Sequence, residues 1–169
     1  MRNNNVKNIA LCGVLAALAS VIMCLGALVP FATYVCPILC TLICNSVLLL
    51  CGKRYSWMYY ITVSFLALLL GPDREASVLF VFLGIYPCIR VYMERFHLRI
   101  IIKLLYFNIA TAVATWISAY VLGLTDLIEE FTFYGNIGLM IIIVLANVTF
   151  YLLDLLIFRM NKMHRKKGR

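Results

Sequence analysis

The chain has 169 residues, 64% of them hydrophobic and only 13% charged, with a mean hydropathy of +0.99. So apolar a chain has too few polar side chains to cover a small water-soluble domain, which excludes that class and makes lipid its main solvent. The net charge of +8 does not mark a nucleic-acid binder, because the bases sit at the ends of apolar runs and form no face interleaved with stacking aromatics.

A helix needs about 20 residues to cross the hydrocarbon. Runs of that order lie at 8–29, 33–51, 55–71, 76–92, 104–122 and 136–158, followed by a basic tail at 159–169. With no linker, low-complexity tract or repeat period between them, residues 1–169 read as one all-α integral membrane domain, a six-transmembrane-helix bundle. A barrel is excluded by the absence of alternating segments of about ten residues.

The first run is longer than the ~7–15-residue core of a cleaved signal peptide and reads as a retained helix. Along it Ala10, Gly13, Ala17, Ser20 and Cys24 fall within roughly 80° of arc. In lipid, small residues let helices approach closely, and Gly13-x-x-x-Ala17 is a small-xxx-small pair. The spacing fits either a partner helix or a neighbour in the same bundle.

The second run opens with Thr33 and Tyr34, and Pro37 should kink it. Cys36, Cys40 and Cys44 share one face. The seven cysteines lie in apolar segments, with no CxxC pair and no histidine beside the stripe, so they read as small soft packing residues and no metal site is assigned.

At "GPDREA", Gly71-Pro72 ends the third run, Asp73 caps the next helix, and Glu75 suits its first turn. Local geometry does not require Arg74. In "FLGIYPCIR", Pro87 should kink the fourth helix. Arg95, Arg99 and Lys103, at four-residue spacing, suit a segment lying along the membrane surface before it turns inward.

The fifth run carries a polar face of Asn108, Thr111, Thr115 and Ser118; the sixth carries Asn147, Tyr151 and Asp154. Such faces turn to the protein interior or a hydrated cavity. Interhelical hydrogen bonding is expected of Asn108 and Asn147. Asp154 is expected to pair with Arg90, Arg99 or Lys103. The tail "RMNKMHRKKGR" reads as a polybasic anchor on anionic lipid.

Six spans place both termini on one side, and with them every one of the fifteen Lys and Arg except Arg74. Asp73, Glu75, Asp126, Glu129 and Glu130 fall opposite. The Lys/Arg bias then puts the N- and C-termini in the cytoplasm and "GPDREA" outside a plasma membrane crossed many times. At the outer ends, Tyr34, Arg74, Glu75, Thr115, Trp116, Ser118, Asp126, Glu129, Glu130 and Tyr134 are candidates for a small-molecule pocket. An aromatic interfacial belt with solvated acids accounts for any one of them singly. The connection "GLTDLIEEFTFYGNIG" is long enough to be a lid. No HExxH, Walker lysine loop or nucleophile elbow appears, so neither a catalytic residue nor a cofactor is assigned.

A basic chain of this length with six helices, cytoplasmic ends and a small-residue stripe on the first helix resembles the S components of energy-coupling factor (ECF) transporters. "ALCGVLAALAS" looks like the AxxxA face of that family, with Gly13 in place of the first Ala and Ala17 at the matching spacing. "GPDREA" followed by "FVFLGIYP" also looks like members of it. The resemblance implies a substrate-binding subunit that captures a vitamin-like micronutrient in an outward pocket. It implies a transmembrane coupling (T) subunit against Ala10, Gly13, Ala17 and Ser20, two partner ATPase subunits, and toppling of the subunit in the membrane. It would make Arg74 a ligand-anion or gate residue, and Asp126, Glu129 and Glu130 lid residues. Membrane scaffold subunits of the cell-shape machinery resemble the same fold, and that alternative expects an assembly role with no ligand. A carrier acting alone is disfavoured by the lack of mid-depth acids and of an inverted repeat.

Overall fold

The computed structural model describes residues 2–26, 32–93, 99–120 and 135–167, and every element among them is a helix. These are α1 (Arg2–Gly26), α2 (Ala32–Leu50), α3 (Lys53–Leu70), α4 (Arg74–Gly84), α5 (Tyr86–Met93), α6 (Arg99–Tyr120) and α7 (Gly135–Lys167). Helices suit a chain solvated by lipid, because each satisfies its backbone groups internally where no water can. Among the described residues three stretches are long and apolar enough to cross a membrane: Asn5–Gly26, Ala32–Leu50 and Ile143–His164.

The remaining expected runs differ in instructive ways. In α6, which runs from Arg99 to Tyr120, the apolar stretch among the described side chains is Ile101–Ala114. The run expected at 76–92 is not one helix: α4 ends at Gly84, Ile85 forms a turn, and α5 restarts at Tyr86. The amides of Cys88 and Ile89 both return to the Ile85 carbonyl, at 3.1 and 3.2 Å. Pro87 then falls in the first turn of α5, where a missing N–H costs nothing. The helix is therefore interrupted at the one residue Ile85, which itself keeps right-handed helical dihedrals (φ −74°, ψ −21°). Pro37, by contrast, lies buried inside an unbroken α2.

α7 continues as helix past Phe158, the expected end of the last span, to Lys167 in the basic tail. At 1.5 Å per residue its 33 residues measure about 50 Å, against about 30 Å of hydrocarbon.

The chain forms two compact units, Met1–Arg95 and Phe96–Arg169. In the first, Cys12, Ala16, Ala19 and Met23 of α1 meet Cys36, Cys40, Cys44 and Val47 of α2, with Tyr59, Val63 and Ala67 of α3, Phe80 of α4 and Cys88 of α5. The cysteine stripe of α2 is thus core packing. Polar groups in this core bond to backbone: Tyr59 Oη donates to the Cys40 carbonyl at 3.1 Å, and Ser77 Oγ to the Ala67 carbonyl at 2.7 Å. The outward face of α3 is apolar, with Ile61, Phe65 and Leu68 exposed, as in a helix whose surroundings are hydrocarbon.

Gly71 sits where α3 hands over to α4. A Cβ there would run into the Ala67 carbonyl oxygen and come within 2.6 Å of Ser77 Oγ. Gly71→Ala should therefore cost about 1–3 kcal/mol through overpacking, read as a lower melting temperature in detergent with helix content unchanged.

In the second unit, α6 and α7 pair antiparallel: position 103 meets 154, 107 meets 150, and 108 meets 147.

Candidate functional site

The acidic corner builds one end of the first unit. Asp73, in extended conformation (φ −96°, ψ 101°), accepts the Ala76 amide at 3.1 Å and so caps α4. The next two residues begin the helix, placing Glu75 near its partly positive N-terminal end. Tyr34, in the first turn of α2, donates its hydroxyl to Glu75 Oε1 at 3.0 Å, across 41 positions of sequence. Arg74 is exposed and makes no ion pair among the described residues.

Two expected site residues, Tyr34 and Glu75, are thus brought together as a phenol-bound carboxylate, with Arg74 adjacent to Glu75 in sequence. Trp116, in α6, is exposed. Thr115 and Ser118 occupy α6, but their side chains lie outside the described set, as do residues Asp126, Glu129, Glu130 and Tyr134 altogether.

The other candidate surface is α1, which carries two small faces. Cys12, Ala16, Ala19 and Met23 turn inward. Ala10, Gly13, Ala17 and Cys24 are exposed, and Ser20, half-buried, returns its hydroxyl to the Ala16 carbonyl at 2.9 Å. A Cβ added at Gly13 would meet nothing within 4 Å. The stripe read from the sequence is therefore not the one that packs the core of the first unit. The inward face had its own signal, Cys12, Ala16 and Ala19 at i, i+4, i+7, which sequence reading passed over.

The polar faces of α6 and α7 meet each other. Lys103 Nζ donates to both carboxylate oxygens of Asp154, at 3.1 and 3.0 Å. The side chains are only 10% and 23% exposed, so the pair is largely desolvated. Of the three bases offered to Asp154, Lys103 is a partner among the described residues, and it is buried and not laid on a membrane surface as its spacing suggested. The amides of Asn108 and Asn147 bond reciprocally at 3.1 and 3.2 Å, and Phe107 and Phe150 stack at 4.4 Å between the two polar pairs. Such an amide pair contributes about 0.6 kcal/mol per bond. Thr111 returns its hydroxyl to the Phe107 carbonyl, and Tyr151 is exposed. The seam is interhelical glue, as expected for Asn108 and Asn147. Among the described residues no three His, Cys, Asp or Glu side chains are grouped so as to hold a metal ion.

No family model, curated protein or solved structure matches the chain.

Proposed function

We propose that this protein is the substrate-capturing S component of an ECF-type importer, a six-span subunit of the plasma membrane with both termini in the cytoplasm. The observation that carries the reading is the outward small-residue face of α1, with open space at Gly13, while the opposite face supplies the core. A helix that packs with one small face and keeps a second one uncovered is suited to a further transmembrane partner, here the coupling subunit, itself driven by two ATPases.

In this reading α4 and α5 act together as one broken span. From Arg74 to Met93 they cover about 30 Å at helical rise, enough for the hydrocarbon. α3 and α6 supply the other two spans beyond the three apolar ones. The Lys/Arg bias sets the orientation. Tyr34, Arg74 and Glu75 then stand at the outer mouth, where Arg74 engages an anionic group of a vitamin-like ligand.

The test is purification from membranes of the native host, followed by native mass spectrometry. Two ATPases, a coupling subunit and a retained small molecule are expected. Arg74→Ala should weaken that ligand about tenfold or more, the loss of one hydrogen bond to a charged group being worth about 1.5–3 kcal/mol. Recovery of cell-wall enzymes or filaments with no small molecule would replace the transport reading with the scaffold one.

A further inference from the structure

Two free thiols from two helices meet the Ser56 hydroxyl in the first turn of α3, and a third thiol reaches that turn's backbone apart from them. Cys12 Sγ of α1 donates to the Tyr55 carbonyl at 3.5 Å. Cys44 Sγ of α2 lies 4.0 Å from the Ser56 carbonyl and 3.4 Å from Ser56 Oγ. Cys88 Sγ of α5 lies 3.2 Å from that same hydroxyl, which also reaches the Cys44 carbonyl at 3.4 Å. Cys44 and Ser56 are wholly buried and Cys88 is 2% exposed. None of these cysteines is in a disulfide.

Packing alone asks for small side chains here. It does not ask for two sulfurs, contributed by different helices, against one hydroxyl. We propose that Cys44 and Cys88 form a two-coordinate site for a soft divalent d10 cation that binds thiolates linearly, the class of mercury(II). Two S–H bonds break, two metal–sulfur bonds form, and two protons leave to solvent. A linear unit spans roughly 4.6 Å at ~2.3 Å per metal–sulfur bond, a separation open to two atoms 3.4 and 3.2 Å from a common oxygen.

Ligand number and charge select the ion. Zinc takes four ligands, and no third metal-binding side chain is grouped with this pair among the described residues. Copper(I) accepts two sulfurs, but its bis-thiolate carries a net negative charge, and an uncompensated charge in the core is strongly disfavoured. A divalent ion leaves the site neutral.

This inference is independent of the transport reading. The test is mercury(II) titration of the full chain in detergent, carrying Cys24→Ser to remove the exposed thiol, against excess monothiol competitor. One tight equivalent is expected, with two sulfur neighbours by X-ray absorption. Cys44→Ser and Cys88→Ser should each weaken it by roughly 100-fold or more, since even outer-shell changes at metal sites cost up to that. Ser56→Ala, which leaves both thiols, should retain it.

If a serine variant fails to fold by circular dichroism, alkylation of the parent protein decides the question: one equivalent of mercury(II) should protect Cys44 and Cys88 together. The proposal is overturned if the tight equivalent survives both serine variants, if none is found, or if copper(I) binds as tightly. A Cys44–Cys88 disulfide in freshly isolated protein also overturns it.

Discussion

Lys103→Met should destabilise the protein by about 3–5 kcal/mol, the usual cost of removing one member of a desolvated ion pair. The methionine fills nearly the same volume, so the loss is electrostatic: the Asp154 carboxylate loses a partner at 3.0 Å with little water to replace it. Replacing both partners by apolar residues, as in Lys103→Met with Asp154→Leu, should recover most of the loss, because the pair must offset its own desolvation. Thermal unfolding in detergent for the two single variants and the double variant gives the comparison. If the double variant is as unstable as the sum of the singles, the pair is not what holds α6 to α7.

If the proposed transport role holds, Gly13→Phe should abolish recovery of the proposed coupling subunit while leaving stability within about 0.5 kcal/mol, the range of surface substitutions that touch nothing. The expectation rests on the empty space around Gly13. A phenylalanine there would hold a partner helix away from a face whose closest approach depends on Gly13 and Ala17. Ala16→Phe, one turn along on the buried face, is the control. It should cost about 1–3 kcal/mol by overpacking and disturb association only through folding. Undiminished co-purification of Gly13→Phe would dismiss α1 as the docking helix.

What the sequence disclosed was chiefly local chemistry. The Asp73 cap and the placement of Glu75 follow from a few adjacent residues. A partner for Asp154 and a bond between Asn108 and Asn147 follow from the cost of leaving polar groups unpaired in an apolar setting. That Lys103 is such a partner did not, because it depends on the register of two helices distant in sequence.

Whether Pro87 bends a helix or breaks it also has a tertiary answer. A Cβ at Gly84 would come within 2.9 Å of the Phe80 ring and 3.2 Å of Tyr60, so the end of α4 is shaped by what packs on it. Hydropathy ended the last span at Phe158, but Arg, Lys and Met are good helix formers and carry the backbone onward. At the candidate site, Tyr34 and Glu75 were named as members of one set, but their direct bond joins residues 41 positions apart and was not legible.

The length of α7 has a mechanical corollary. A continuous rod of about 50 Å that crosses about 30 Å of hydrocarbon leaves some 20 Å standing clear of it. With no described break in its backbone, any change of inclination within the lipid is transmitted whole to the projecting cations. A lean of about 20°, ordinary for a membrane helix, would swing one tip by roughly 17 Å relative to the other, making α7 a pointer that reports its own tilt.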